Sequence, residues 1–334
     1  MLGTDIVPRT SLPQRVLLLG ATGTIGRATA QALHARGHEV VGLLRPGRRA
    51  AAGMMWPPGM VLREADVCDR HSLARDGLRG ERFDAVVSCL ASRTGAPRDA
   101  WVVDHDAHVH ALAAAQDAGV RQFVLLSAIC VQKPLLAFQQ ARLAFERRLI
   151  DSGLDYSIVR ATAFFKSLSG QVERVRRGKP FLVFGDGRLT ACKPKGDDDL
   201  ADYLADCLSD PARRNRVLAI GGPGPAITPR EQGDLLCSLV GRTPRFRQVP
   251  VAMLDVIVAV LGTLGRVVPP LVAKAELARI GRYYATESML VLDPATGRCS
   301  ADATPSTGHR TLADHYARLL RGEVVDDRGA HAVF

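Results

Sequence analysis

The stretch from Arg15 to Arg27, RVLLLGATGTIGR, decides the fold. An apolar run over 16–19 breaks into glycine at Gly20, Gly23 and Gly26, and an alanine-rich segment over 28–36 follows with helical character. Strand, glycine turn and helix is the order a nucleotide pyrophosphate site needs. The first glycine lets the chain double back, the second lets backbone amides approach the phosphates, and the third lets helix pack on strand. The helix N-terminus then presents free N–H groups and a partial positive charge to the anion. Glycines at this spacing also occur in ordinary turns; their place between a buried strand and a helix marks a dinucleotide site. Gly20, Thr22, Gly23, Thr24, Ile25 and Gly26 are the expected phosphate cradle.

The same alternation continues downstream. Short apolar runs bounded by turn residues lie at 39–44, 60–64, 85–89, 123–127 and 156–160, with helical stretches at 100–118 and 135–152 between them. Strands apolar on both faces and separated by helices predict a parallel sheet covered on both sides. The expected architecture is a doubly wound, Rossmann-like parallel α/β sheet with a smaller mixed α/β substrate-binding region toward the C-terminus. Residues 1–13 read as a flexible polar lead, 14–165 as the cofactor domain with a returning strand near 216–221, 166–322 as the substrate region and 323–334 as a flexible tail.

Ligands of such sheets bind beyond the strand C-termini, so the residues there are candidates. After the second strand stand Arg45 and Arg48, where an NAD-selective site would usually carry an acid for the ribose 2′-hydroxyl. Guanidinium groups suit a 2′-phosphate instead, which points to NADP(H). After the third strand Asp66 and Val67 would border the adenine, and after the fourth Cys89 and Leu90 would run beside the cofactor; ordinary strand-end packing is the plainer reading of these four.

The chain has 334 residues, a net charge of +10 and a pI near 9.6. Its basic residues fall in short dispersed groups and aromatics make up only 5%, which weighs against a nucleic-acid partner. Seven scattered cysteines with no CxxC pair argue for reduced thiols, hence a cytoplasmic location, and against a zinc cluster. No metal is expected: His105, His108 and His110 read as a plain polar helix face, and Asp197–Asp199 as the cap of a helix start.

The second half is less regular. A basic helix over 169–177 precedes a hairpin-like FLVFGDG beginning at Phe181, and Thr228 to Glu231 fits a capping box. The most apolar stretch, VAMLDVIVAVL over 251–261, is too short to span a bilayer, which needs roughly twenty residues. A core helix is the expectation; a cover for an apolar pocket or a peripheral membrane contact are the alternatives.

Short-chain dehydrogenases usually place a tyrosine four residues before a lysine, after a serine that ends the fifth strand. Here Ser127 ends that run, but Phe138 stands at the tyrosine position and Arg142 four residues later. With GATGTIG, this departure makes the chain resemble the atypical NmrA and isoflavone-reductase-like branch. Within it, FVLLSAICVQKPLL over 123–136, FQQARLAFE over 138–146, ACKP over 191–194, Asp206-Cys207 and RYYATESML over 282–290 are similar to the divinyl chlorophyllide a 8-vinyl-reductase family.

That resemblance, over roughly residues 14 to 320, implies an NADPH-dependent enzyme of chlorophyll or bacteriochlorophyll synthesis. It would reduce the C8 vinyl group of divinyl chlorophyllide or protochlorophyllide to ethyl, with the macrocycle delocalising the developing charge. Phe164, Phe165 and 251–261 are candidates for an apolar wall. Lys133, Lys193 and Ser127 are the candidate catalytic residues, Cys130 and Cys192 further donors, and Arg142 a candidate for the cofactor ribose; pairing of Arg142 with Glu146 is the alternative. A related reductase of another conjugated substrate and an NADP(H)-sensing regulator are the competing readings.

Overall fold

Each apolar run of the first half becomes a strand: β1 (Arg15–Leu19), β2 (Glu39–Leu44), β3 (Val61–Glu64), β4 (Ala85–Ser88), β5 (Gln122–Ala128) and β6 (Asp155–Ala161). Five more follow among the described residues: β7 (Phe181–Phe184), β8 (Arg216–Ile220), β9 (Phe246–Val249), β10 (Val291–Leu292) and β11 (Cys299–Ser300). The structure is a computed structural model that describes residues 12–47, 55–268 and 270–324. Seven strands form one parallel sheet in the order β3-β2-β1-β4-β5-β6-β8. The chain reverses direction across the sheet between β1 and β4, and a ligand crevice opens at such a switch point.

Side-chain alternation along β1 explains the double winding. Val16 and Leu18 enter one apolar cluster with Ala30, Leu33, Leu200 and Leu204. Leu17 and Leu19 enter another with Leu73, Phe123, Phe145 and Leu149. Because neighbouring side chains point to opposite faces, an unbroken apolar run requires cover on both. Helices α1 (Thr24–Ala35), α2 (Ala107–Asp117), α3 (Ala137–Ile150) and α4 (Asp197–Asp206) supply it. α4, which the sequence reading groups with the substrate region, packs on α1, and Arg36 donates to Asp202 at 2.9 Å and to Asp206 at 2.8 Å.

The longer helices downstream are α5 (Pro229–Leu239), α6 (Val251–Leu264), α7 (Pro270–Thr286) and α8 (Leu312–Leu320). α5 carries the expected capping box between Thr228 and Glu231. With β7 and α8 it surrounds a third apolar cluster that includes Phe165, Phe181, Leu236 and Tyr316.

Four expectations are corrected. FLVFGDG does not form a hairpin: β7 pairs in parallel with β9, Phe181 opposite Phe246, so its partner lies far downstream. Helix 169–177 shortens to Val172–Arg176 after a 3-10 turn. Gly196, not an aspartate, is the N-cap of α4; Asp199 instead accepts the backbone N–H groups of His309 and Arg310 at 2.9 Å each. Finally, α6 is not a core helix. Of its residues only Leu254 is buried, and Val256 and Val260 are 61% and 50% exposed. A helix apolar all round can bury one side against α7 and still leave the other to its surroundings.

Candidate active site

The glycine turn after β1 has the shape a pyrophosphate needs. Gly20 has φ +73°, and a Cβ there would stand 2.7 Å from the Cys89 carbonyl. A Cβ on Gly26 would stand 2.1 Å from the Gly20 carbonyl oxygen, so only glycine lets α1 approach β1. The N-cap of α1 is Gly23, which offers no side chain to the first-turn N–H groups and leaves them to an anion. Thr22 and Ile25 are half-buried beside it. Thr24 Oγ1 accepts a hydrogen bond of 2.7 Å from Lys166 Nζ, which brings a cation from beyond β6 to the mouth of the turn. Asp197 at the start of α4 lies near the same cation: burial raises its carboxyl, and Lys166 and Arg27 oppose the rise. These residues fit a dinucleotide phosphate.

On the β2 side Arg45 is exposed and has no ion-pair partner among the described residues. Arg48 lies outside them. Asp66 shapes its own turn: Oδ1 accepts the Cys68 N–H at 2.9 Å, and its N–H donates to Ser72 Oγ at 3.0 Å. Val67 and Leu90 pack against the core. Cys89 Sγ lies 3.5 Å from Thr29 Oγ1, and burial pushes its thiol up to about 12.

At the C-terminal end of β5 most polar groups have protein partners. Ser127 Oγ donates to Glu146 Oε1 at 2.5 Å, and Glu146, 1% exposed, also takes Arg160. Arg142 does not pair with Glu146. It reaches Asp104, whose side chain is fully buried, at 3.0 Å and donates to the Leu126 carbonyl at 3.3 Å. Lys133 is half-exposed and its Nζ lies 2.8 Å from both oxygens of Glu287. Lys193 is buried and donates to the Thr304 carbonyl at 2.8 Å and to Ser306 Oγ at 3.1 Å, so it straps that loop down. Lys195, buried beside it, holds Thr307 in the same way, and burial lowers its ammonium to about 8. Burial raises the Cys130 thiol and pushes Cys192 up to about 12.

His108 is part of the core rather than an exposed face. Leu90 N–H donates to Ser88 Oγ, and Ser88 donates onward to His108 Nε2 at 2.8 Å, which leaves Nδ1–H for the Val103 carbonyl at 3.0 Å. Burial lowers its pKa to about 4, so this neutral tautomer holds. Among the described residues no three His, Cys, Asp or Glu gather as a metal site.

The roles of three residues at this end were not legible in sequence. Lys166 is 142 positions from Thr24, Asp104 sits in a π-helical turn before α2, and Tyr284 arrives on α7. Tyr284 joins Ala128, Phe138 and Met289 around the buried residues Cys130, Leu136, Ile280 and Tyr283. A motif search along the chain sees none of these encounters, because sheet topology creates them.

The sequence model of an NAD(P)H-binding family matches residues 20–211, from the glycine turn past α4. The chain is 48% identical over 332 residues to divinyl chlorophyllide a 8-vinyl-reductase of Oryza sativa subsp. indica, covering 96% of this chain and 82% of that protein. It is 46% identical over 320 residues to the Arabidopsis thaliana enzyme of the same name, covering 92% and 76%. Both relatives are described as chloroplastic. In fold it is similar to an NADPH-dependent quinone oxidoreductase of Escherichia coli, with TM-score 0.65, 19% identity and coverage of 91% and 99%. The similarity to the reductases extends through both the cofactor half and the irregular second half, and the chain belongs to the divinyl chlorophyllide a 8-vinyl-reductase family.

Proposed function

We propose that the chain is an NADPH-dependent oxidoreductase that reduces the C8 vinyl group of a divinyl chlorophyllide or protochlorophyllide to ethyl, a step of chlorophyll or bacteriochlorophyll biosynthesis. The observation that carries this reading is the 46–48% identity to the named reductases, which runs through the second half where a substrate must be recognised. A regulator that only senses the cofactor would not need that half.

In this reading Gly20, Thr22, Gly23, Thr24, Ile25 and Gly26, with Lys166 beside them, would hold the pyrophosphate. Arg45, with Arg48 by its place in the sequence, would take the 2′-phosphate, Asp66 and Val67 would border the adenine, and Cys89, Leu90, Ser127 and Arg142 would line the rest of the cofactor. When bound, NADPH supplies the hydride. Arg142, fixed by Asp104, presents a permanent positive charge at that end. Lys133 stands at the rim as the cation for the pigment carboxylate, exchanging Glu287 for it. Residues 14–165 with β8 and α4 form the cofactor part, and most of 166–322 the substrate part.

The exposed face of α6 and the start of α7 supports a peripheral membrane contact of an otherwise cytoplasmic protein. No helix among the described residues is long and apolar enough to cross a membrane. Met253, Val256, Val260, Leu264, Val267 and Val272 are nonetheless exposed together on this helical pair. Arg266 and Lys274 are exposed among them without acidic partners among the described residues, whereas Asp255 and Glu276 are held by Arg282 and Arg279. An apolar face fringed by unpaired cations complements an anionic bilayer surface.

Incubating the purified protein with divinyl chlorophyllide and NADPH tests the activity. The pigment absorption is expected to shift to that of the ethyl product while NADPH is consumed. Bound cofactor with an unchanged pigment spectrum would return the regulator reading to favour.

A further inference from the structure

Reduction of a vinyl group needs a proton as well as a hydride, and most hydroxyl, thiol and ammonium groups around the end of β5 are engaged or unsuited. Ser127 gives its hydrogen to Glu146, and Lys133 is ion-paired to Glu287. Lys193 and Lys195 hold loop residues 304–307. The Tyr283 phenol donates to the Cys130 carbonyl at 3.1 Å and lies 3.3 Å from that of Lys133. Tyr284 differs. The only hydrogen-bond neighbour of its hydroxyl among the described residues is Cys130 Sγ at 4.0 Å, a weak partner at the limit of contact.

Its location matters as much as its freedom. Tyr284 shares an apolar cluster with Ala128, the last residue of β5, and with Phe138, on the first turn of α3. α7 reaches this point because Gly95, with φ +66°, leaves room for it: a Cβ there would stand 2.8 Å from Ile280 Cδ1. Arg142 is near enough to Tyr284 to favour its phenolate electrostatically, and Arg142 is itself fixed by buried Asp104. Phe138 offers a ring without a hydroxyl on the α3 side, and α7 brings a phenol to the same cluster from the other half of the chain.

We propose that Tyr284 is the proton donor of the vinyl reduction, with Arg142 as the positioning residue that stabilises its phenolate. The inference rests on the reductase reading above. With hydride delivered to one carbon of the vinyl group, the electron pair of the double bond passes to the other carbon or into the macrocycle. That carbon takes the phenolic hydrogen: the Oη–H bond breaks, a C–H bond forms, and the phenolate, favoured by the charge of Arg142, regains a proton from water. Burial, with Cys130 and Tyr283 adding to it, holds the phenol well above its ordinary range, so it stays protonated between turnovers while Arg142 opposes the shift. A positioned general acid of this kind typically contributes 10²–10⁴-fold, on the order of what is at stake here.

Tyr284→Phe, measured beside the parent protein, tests this. The variant is expected to keep its fold by circular dichroism and its NADPH and pigment affinities by fluorescence titration, and to lose turnover by about a hundredfold. A readout independent of turnover comes from 3-fluorotyrosine labelling, since the chain has five tyrosines. The ¹⁹F resonance that Tyr284→Phe removes is expected to shift when NADP⁺ and pigment are added together. Turnover by Tyr284→Phe equal to that of the parent, or a resonance unmoved by both ligands, overturns the inference and leaves the reductase reading standing. A parent protein that leaves the pigment unchanged overturns both.

Discussion

Lys166 Nζ donates to Thr24 Oγ1 across 2.7 Å, joining the segment after β6 to the first turn of α1. The contact places a positive charge where the helix N-terminus already favours an anion. A phosphate entering there would take over the ammonium from a neutral hydroxyl, a gain of about 2 kcal/mol for a charge-assisted bond. Lys166→Met is therefore expected to weaken NADPH binding by about thirtyfold, read by nicotinamide fluorescence titration. An unchanged dissociation constant would separate Lys166 from the phosphate site. Because the pyrophosphate is common to both cofactors, NADH should suffer equally.

Arg45 is the opposite case, since its proposed partner exists only in NADPH. Arg45→Glu replaces an exposed guanidinium, without an ion-pair partner among the described residues, with a like charge for the 2′-phosphate. Affinity for NADPH should fall by at least about thirtyfold while NADH changes by less than about threefold. Equal losses for both cofactors would mean that the arginine supports the loop and does not read the phosphate.

Much of this site could be read from the chain alone, and the limit has a physical origin. Gly20, Gly23 and Gly26 declare themselves because the turn is local: strand, turn and helix are consecutive, and the tight approaches at Gly20 and Gly26 exclude a Cβ. The alternating run in β1 similarly declares a sheet covered on both faces. Lys166 and Asp104 are silent in sequence, and Tyr284 stands only as part of the family segment over 282–290 without a role, because each acquires meaning only from a neighbour brought close by topology. Arg142 shows the same limit from the other direction. Helical spacing offers Glu146 as its partner, yet Glu146 turns to Ser127 and Arg160 on the sheet while Arg142 turns to Asp104. The apolar run in α6 misleads for a related reason, since composition reports how greasy a helix is and not whether anything covers it.

The buried imidazole of His108 makes stability depend on pH in a defined direction. Its pKa is about 4 in the folded chain against 6.5 ordinarily, because burial disfavours the charged form. Below pH 6.5 the unfolded chain binds a proton that the folded chain refuses, so stability falls as pH drops and levels off below about 4. The loss from this one group approaches about 3 kcal/mol at the lower limit. His315, also lowered to about 4 by burial, acts in the same window. Urea midpoints recorded from pH 7 to pH 4 should fall, His38, also lowered by burial, adding to the effect, and His108→Gln should make that slope measurably shallower. An identical slope in the variant would show that His108 titrates normally in the folded chain.

The exposed side of α6 and α7 gives the last test. Val267 is 82% exposed at the turn between the helices, and Val256 and Val260 continue the face along α6. A water-facing apolar strip of this kind costs solubility unless something apolar meets it. The neighbouring Arg266 and Lys274 favour a surface that is both apolar and anionic. The protein should co-sediment with vesicles containing phosphatidylglycerol, less with pure phosphatidylcholine vesicles, and less again as salt screens the charges. Val260→Glu combined with Val267→Glu should abolish sedimentation while leaving NADPH affinity unchanged, because neither residue is near the glycine turn. Sedimentation that survives this pair of substitutions would move the membrane contact elsewhere on the molecule. Loss of sedimentation together with a rise in soluble expression would tie the apolar face of α6 to the bilayer, and would explain why a helix this greasy is left outside the core.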